Sequence, residues 1–251
     1  MCRIFTYSGS SMDELNKFYG ALKKSAQHDV LAEEAGMSFN RHPDGWGYVA
    51  ITDKNRIYSY KNGNPIFEDD YKLPKMKGHM YAIFHARRAT EKYLVAAPFN
   101  SPYLETTPSK VMYLVHNGRV NKERMGKDLN YDVYLNVDCE LISKHVVRFG
   151  MEKSMKILEG YTESALNVIM MTYDRESRDI NMYYKNYYVD KRKSDYYDMY
   201  LSKMPHGKAL VSSTLIRYGI SGKRISGDEL QLFDHAKGAA TKKVSDRLVD
   251  T

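Results

Sequence analysis

The chain has 251 residues, of which 43% are hydrophobic and 27% charged, and its formal net charge is +7. This balance is typical of a folded globular protein and excludes a disordered chain or a fibrous repeat. No apolar run is long enough for a membrane span, and the N-terminus lacks the apolar core of a signal peptide, so we predict a soluble, cytoplasmic protein without a membrane partner.

The excess of basic residues allows two interpretations. A nucleic-acid partner is one, because such proteins cluster Lys and Arg on one face. In this chain the basic residues are spread along the sequence and mixed with acidic ones, as in VDKRKSDYYD (189–198). We therefore favour a solvated basic surface over a nucleic-acid partner.

The sequence predicts no cofactor and no metal. Cys2 and Cys139 are the two cysteines, and their spacing fits neither a disulfide framework nor a zinc pattern. The eight histidines form no HExxH pattern, and no P-loop or dinucleotide-binding glycine pattern is present.

The predicted elements begin with a short strand, CRIFTYSG (2–9), and a helix whose composition extends to about Gly36. Ser11 and Glu14 have the spacing of a capping box at the start of that helix. A β-hairpin follows, in which alternating runs flank residues 53–55. The runs MYAIFHARRA (80–89) and VMYLVHNGRV (111–120) predict strands that are buried on both faces.

The second half of the chain predicts two helices and then further strands. The helices are DCELISKHVVRFG (138–150) and MEKSMKILEG (151–160). The strands are ALNVIMMTYD (165–174), INMYYKNYY (180–188), YYDMYLSKM (196–204) and KALVSSTLI (208–216). Strands in consecutive runs favour two sheets with helices outside them, and without a Pro- or Ser-rich linker we predict a single domain over residues 1–251.

Five short motifs carry side chains suited to catalysis or binding. They are Cys2, HPDGWGY (42–48), FHARRAT (84–90), VHNGRV (115–120) and VDCE (137–140). Each also has a purely structural interpretation. Asp138 alone is a helix N-cap, and the Asn-Gly pair at 117–118 is a turn former. The polar segment after that pair does not alternate, so we predict that the pair ends a buried strand instead of forming a hairpin.

Together, in this order, the motifs resemble the class II glutamine amidotransferase family. The opening MCR and the HPDGWG stretch are most similar to its standalone members, which lack a fused synthase and include enzymes that cleave other γ-glutamyl amides. The resemblance covers essentially the whole chain. It implies an α+β fold, the four-layer αββα sandwich of the N-terminal-nucleophile hydrolases.

The resemblance also implies a set of site residues. The catalytic residues are Cys2, Asn117 and Gly118, and the substrate-binding residues are Arg87, Thr90 and Asp138. After removal of Met1, the Cys2 thiol would attack the side-chain amide of glutamine and form a glutamyl thioester. Its own α-amine, with an ordinary pKa of about 7.7–8.0, would act as the base.

The remaining residues have implied roles in stabilisation and recognition. The Asn117 side chain and the Gly118 amide would hold the oxyanion. Arg87 would grip the substrate carboxylate with help from Thr90, and Asp138 would pair with the ammonium group. No cofactor is needed, and a separate ammonia-accepting synthase subunit is a compatible partner.

Two stretches depart from the family pattern. The usual N-x-H-P stretch is matched by FNSPY (99–103), which lacks the histidine, and the usual S-D-T-E reads VDCE, which places Val137 and Cys139 where the family has hydroxyl residues. These departures affect the substrate-binding loop more than the nucleophile. Two alternatives stay open: hydrolysis of another γ-glutamyl amide, whose α-amino-acid end Arg87 and Asp138 would bind in the same way, and an inactive relative that acts as a binding or regulatory subunit.

Overall fold

The computed structural model describes residues 1–225 and 227–235, so positions 226 and 236–251 of the predicted domain lie outside the described residues. Strands make up most of its regular structure. In chain order the strands are β1 Arg3–Gly9, β2 Trp46–Thr52, β3 Ile57–Asn62, β4 Met80–Ala86, β5 Tyr103–Thr106, β6 Lys110–Val120, β7 Thr162–Asp174, β8 Ile180–Tyr188, β9 Met199–Met204, β10 Gly207–Ser212, β11 Lys223–Arg224 and β12 Gln231–His235.

The helices fall between groups of strands. The α-helices are α1 Met12–Gln27, α2 Val30–Glu34, α3 Lys122–Leu129, α4 Asp138–Phe149, α5 Met151–Glu159 and α6 Ser194–Tyr197. Short 3-10 helices lie at Lys92–Leu94, Ala97–Phe99, Lys191–Lys193 and Ser213–Tyr218. Within the described ranges, none of these helices has the length and apolarity needed to cross a membrane.

The chain forms two compact units. The described residues of unit 1 are 1–102 and 190–225, and those of unit 2 are 103–189 and 227–235. Each unit is built on one antiparallel sheet with its own helices. The prediction of an α+β fold with two sheets is therefore confirmed, while the prediction of a single domain over 1–251 stays a prediction.

Unit 1 contains a seven-stranded sheet in the order β11-β9-β10-β1-β4-β2-β3. Helix α1 packs on this sheet because Leu15, Phe18 and Leu22 recur at helical spacing and are fully buried. The sheet supplies Phe5 and Phe84, whose stacked rings lie 4.5 Å apart, to the same core. The first strand is thereby fixed beside β4, with Arg3 opposite Ala86.

Unit 2 contains a five-stranded sheet in the order β12-β8-β7-β6-β5. Helices α3, α4 and α5 contribute apolar residues to a core that they share with β6 and β7. The central pair runs in register from Lys110 opposite Asp174 to Gly118 opposite Leu166, and a bulge follows before Val120. This bulge positions the residues that precede α3.

The start of α1 departs from the predicted capping box. Ser11 does cap the helix, because its side chain accepts a hydrogen bond from the Glu14 amide at 3.3 Å. The reciprocal bond is absent: the Glu14 carboxylate accepts instead from the Tyr7 hydroxyl at 3.0 Å and from the His206 amide at 2.9 Å. Glu14 therefore links the helix to the sheet instead of closing its own N-terminus.

Several predicted boundaries are wrong in informative ways. The helix predicted to reach Gly36 is two helices, α1 and α2, with a break at residues 28–29. The strand predicted over 196–204 begins only at Met199, because Tyr196 and Tyr197 belong to α6, and the strand predicted over 208–216 ends at Ser212. The hairpin around residues 53–55 is confirmed, with Asn55 at φ 57° in its turn.

Candidate active site

Cys2 lies directly before β1, at the end of the strand that pairs with β4. Its side chain is 6% exposed, and its Sγ lies 3.9 Å from the carbonyl oxygen of Arg88. The Met1 ammonium lies 3.4 Å from the same carbonyl. The pairing of β1 with β4 thus brings the predicted nucleophile to the segment that carries Arg87 and Arg88.

A buried charged network lies beside this N-terminus. Both Arg3 Nε and His42 Nε2 lie 2.6 Å from Oδ2 of Asp29, and all three side chains are fully buried. On the other side of its ring, His42 Nδ1 lies 2.8 Å from the Met1 carbonyl oxygen. Burial alone would raise the pKa of Asp29, but Arg3 and His42 outweigh it and hold the pKa well below its usual range.

The DGWG turn and the segment after β4 hold each other through backbone bonds. The Asp44 amide donates to the Arg87 carbonyl at 3.0 Å, and the Arg87 amide donates to the Gly45 carbonyl at 2.9 Å. The Asp44 carboxylate also accepts from the Ala89 amide at 2.8 Å and from Lys92 Nζ at 2.5 Å. The two motifs therefore act as one structural element that fixes the backbone around Arg87.

Arg87 is only 7% exposed. Its Nη1 donates to the Leu94 carbonyl at 2.6 Å and to Oδ1 of Asn100 at 3.5 Å. Across residues 1–225 and 227–235, no protein acceptor takes a hydrogen bond from its Nε or Nη2. One edge of the guanidinium is thus fixed by protein, and the two donors on its other edge have the geometry that can bind a planar anion.

Arg88 and Thr90, which follow Arg87 in the chain, differ from it in burial and in contacts. Arg88 is half-buried, and its guanidinium lies 4.2 Å from the centre of the Phe39 ring. The two adjacent arginine side chains therefore have different surroundings. Thr90 is exposed, in the segment after β4.

In unit 2, Asn117 and Gly118 lie within β6, which continues to Val120. The prediction that this pair ends the strand is therefore wrong: the chain stays paired with β7 and leaves the register only at the bulge after Gly118. Gly118 has φ 155°, and a Cβ at this position would lie 1.7 Å from the Ala165 carbonyl oxygen. Only glycine permits this close approach of the two strands.

Asp138 is the first residue of α4, with a side chain that is 21% exposed. Its Oδ1 accepts from the Cys139 amide at 2.8 Å, and its Oδ2 accepts from the Val120 amide at 3.4 Å. The N-cap residue is Val137, so the prediction of Asp138 as the N-cap is wrong by one position. The carboxylate instead links the helix start to the bulged end of β6.

His116 faces the same helix start. Its Nε2 lies 3.0 Å from the Ala165 carbonyl oxygen, which can only accept, so Nε2 carries the proton. Its Nδ1 lies 3.3 Å from Cys139 Sγ and 3.9 Å from Asp138 Oδ2. Burial lowers the pKa of His116, and with the proton on Nε2 the Nδ1 atom faces Cys139 and Asp138.

The predicted site residues thus form two groups, one in each unit. In unit 1 the pairing of β1 with β4 brings Cys2 to the segment that carries Arg87, and Thr90 lies exposed further along the same segment. Unit 2 brings together Asn117, Gly118 and Asp138 around the end of β6.

Comparisons with solved structures identify the fold. The glutamine PRPP amidotransferase of B. subtilis, in complex with ADP and GMP, superposes with a TM-score of 0.62 at 16% identity over 93% of this chain. A structure described as the allosteric regulatory enzyme of purine biosynthesis gives 0.63 at 17% identity over 92%. This chain spans about half of each, 47% of their length. The chain has the N-terminal-nucleophile hydrolase fold.

Other comparisons add less. A predicted glutamine amidotransferase from Pseudomonas aeruginosa matches over 97% of this chain and 88% of its own, but its TM-score of 0.32 and identity of 9% are too low to carry an argument. No protein-family model matches the sequence, and no curated protein matches it. At such identities the comparisons establish the fold alone, and they confirm the predicted fold class.

Two groups of residues next to the predicted site were not predicted from the sequence. His42 and His116 lie inside the motifs HPDGWGY and VHNGRV, but neither was assigned a role. Asp29, which contacts His42, is brought to the N-terminus only by tertiary packing. The approach of His116 to Cys139 joins residues 23 positions apart, for which the sequence carries no local signal.

Proposed function

We propose that this protein is a glutamine amidohydrolase with an N-terminal cysteine nucleophile. The observation that carries the proposal is the position of Cys2, in a chain with this fold, directly before β1 and beside the segment that bears the buried Arg87. Neither Cys2 nor Cys139 is in a disulfide, which agrees with a nucleophilic thiol and with the reducing cytoplasm as its compartment.

The proposed reaction begins after Met1 is removed. The Cys2 α-amine takes the thiol proton, and Sγ forms a bond to the amide carbon of glutamine. The tetrahedral intermediate collapses as the carbon–nitrogen bond breaks, and the α-amine gives its proton to the leaving group, which departs as ammonia. Water then attacks the glutamyl thioester, breaks the carbon–sulfur bond and releases glutamate with the thiol restored.

Recognition of glutamine is assigned to its α-amino-acid end. Arg87 would bind the carboxylate through Nε and Nη2, the donors that the protein leaves for a ligand. Thr90 would add a hydrogen bond, and Asp138 would pair with the ammonium group. The same groups would hold any γ-glutamyl amide, so another amide of this class is the alternative substrate.

Stabilisation of the intermediate is assigned to Asn117 and Gly118. A side-chain amide and a backbone N–H are the donors that acyl-transfer enzymes direct at a developing oxyanion. Removal of one such donor costs about 3–4 kcal/mol of transition-state stabilisation in other enzymes. A side chain at position 118 would collide with the Ala165 carbonyl oxygen.

We also propose that the ammonia passes to a separate acceptor protein. The two solved structures that this chain superposes on are about twice as long as it is, and the chain covers 47% of each. A partner synthase would transfer the ammonia to an acceptor molecule, a reaction that we do not assign to this chain.

The test is an intact-mass measurement before and after treatment with 6-diazo-5-oxo-norleucine, a reactive glutamine mimic, together with assays of ammonia and glutamate release. We expect a chain without Met1, one covalent adduct mapped to Cys2 and not to Cys139, and equal amounts of the two products. A processed chain with no adduct and no product would contradict the proposal. In that case an inactive binding subunit would become the better interpretation.

Replacing Arg87 with lysine is expected to raise KM for glutamine. Lysine keeps the charge but loses the planar pair of donors, and we expect kcat/KM to fall by about 10- to 100-fold, as for the loss of a charged hydrogen bond. Steady-state glutaminase kinetics would measure the change. Arg88→Lys is the matched control, because Arg88 contacts Phe39 and should leave KM within about twofold. Equal effects of the two substitutions would exclude the assigned role.

A further inference from the structure

Three side chains of unit 2 place atoms that can bind a metal ion close to one another. His116 Nδ1 lies 3.3 Å from Cys139 Sγ, and Cys139 Sγ lies 3.4 Å from Asp138 Oδ1. His116 Nδ1 lies 3.9 Å from Asp138 Oδ2. One ligand atom from each residue thus falls within 4.8 Å of the other two, so the cluster offers an imidazole, a thiol and a carboxylate together.

These separations match the edges of a tetrahedral zinc site. Zinc bonds of about 2.0–2.3 Å to nitrogen, oxygen and sulfur place neighbouring ligand atoms about 3.3–3.7 Å apart. Two of the three separations lie in this range. The third is measured to the other oxygen of the Asp138 carboxylate, and a small rotation of this side chain, which is 21% exposed, would bring it into the range. The same exposure leaves a direction from which an ion and a water molecule can reach the cluster.

The histidine is already oriented as a metal ligand. Its Nε2–H donates to the Ala165 carbonyl at 3.0 Å, which fixes the tautomer and directs the Nδ1 lone pair at the other two groups. Metal-binding histidines characteristically donate their second N–H to a carbonyl or carboxylate in this way. Because His116 is fully buried, its ring is held in this orientation by the strands around it.

We propose that His116, Asp138 and Cys139 form a binding site for Zn²⁺, with water as the fourth ligand. Imidazole with thiolate favours zinc over Mg²⁺ and Ca²⁺, which prefer sites made of oxygen. On binding, the Cys139 thiol loses its proton to solvent and forms the zinc–sulfur bond. The thiol ligand is present because this chain has Cys139 at the position where the family pattern has threonine.

A consequence for activity rests on the proposed function. Asp138 is assigned to the substrate ammonium, and zinc would occupy the same carboxylate. Zinc should therefore inhibit glutamine hydrolysis in competition with glutamine. The metal site itself does not depend on that assignment, because its ligands can be tested without turnover.

The test uses tag-free Cys2→Ala protein, in which Cys139 is the only thiol, and Co²⁺ as a spectroscopic substitute for Zn²⁺. We expect one equivalent of Co²⁺ to produce a sulfur-to-cobalt charge-transfer band, and one equivalent of Zn²⁺ to remove it. Adding Cys139→Thr should abolish the band and weaken Zn²⁺ binding, measured by calorimetry, by about 100-fold or more. Threonine keeps a hydroxyl of similar size, so circular dichroism should show an unchanged fold.

Asp138→Asn in the Cys2→Ala background provides a second variant, which should shift the cobalt spectrum and weaken Zn²⁺ binding. A missing charge-transfer band, or equal Zn²⁺ affinity with and without Cys139, would overturn the site. If zinc binds as described and the wild-type enzyme hydrolyses glutamine without competition from zinc, the Asp138 carboxylate does not bind the substrate ammonium, and the consequence for activity is wrong. If zinc binds and no glutamine is hydrolysed, the proposed function fails and the metal site stands.

Discussion

Replacing Cys2 with alanine is expected to lower glutamine hydrolysis by about 10⁴-fold or more, because nothing else in the proposed reaction can form the thioester. Alanine is small enough to allow removal of Met1, so the variant keeps a free α-amine and loses only the thiol. We expect no adduct with 6-diazo-5-oxo-norleucine and ammonia release at the background rate. Intact mass and a coupled ammonia assay measure both outcomes.

Cys2→Ser is the companion variant for this experiment. It keeps a hydroxyl in place of the thiol and should be processed in the same way, so a loss of activity in both variants cannot be attributed to a retained Met1. Because Cys2 is nearly buried beside β1, thermal unfolding of both variants should be compared with wild type. Substantial hydrolysis by folded, processed Cys2→Ala protein would refute the nucleophile assignment.

Replacing Asp29 with alanine is expected to reduce the free energy of unfolding by about 3–5 kcal/mol, because it leaves Arg3 as an uncompensated buried charge. The carboxylate also accepts from Thr214 Oγ1 at 2.5 Å and caps α2 through the Ala32 amide at 3.2 Å. Such a loss is a large part of the 5–15 kcal/mol or so that stabilises a typical protein. Urea unfolding gives the measurement.

Glu34→Ala is the matched control, because Glu34 forms an ion pair with Arg217 at 2.8 Å in which both side chains are more than half exposed. Exposed pairs of this kind contribute about 1 kcal/mol or less. Similar midpoints for Asp29→Ala and Glu34→Ala would show that the buried network contributes little.

The pH dependence of stability should differ between wild type and Asp29→Ala. The folded-state pKa of Asp29 is far below its unfolded value, so its contribution is complete above pH of about 4 and decreases as the pH falls further. The difference in unfolding free energy between the two proteins should therefore shrink on acidification below pH of about 4. A difference that grows on acidification would contradict the depressed pKa.

Much of the fold could be predicted from the sequence because its main elements carry local signals. The alternating runs around residues 53–55 and the apolar stretches of β4 and β6 predicted strands that the structure contains. Helix α3 was missed because Lys122–Leu129 is mostly polar. Its apolar Met125 and Leu129 are too few to show a helical period, although both are buried against the unit 2 core.

The predicted site depended on short motifs, and these do not reveal residues that meet only in the folded chain. Asp29 lies 26 positions from Arg3 and 13 from His42, with no shared pattern between them. For the same reason, the sequence excluded a zinc pattern while the fold places Cys139 next to His116. The prediction that Asn117-Gly118 ends a strand was wrong, because the pairing with β7 continues through both residues and outweighs the polar character of the segment that follows.

Trp46 is the only tryptophan of the chain, and it is fully buried in unit 1 among the rings of Tyr19, Tyr48, Tyr60 and Tyr71. Its fluorescence is therefore an optical signal of unit 1 alone, whereas far-ultraviolet circular dichroism averages over both sheets. If the two signals change at the same denaturant concentration, the units unfold as one cooperative body. If they separate, the order of the two transitions shows which unit persists without the other.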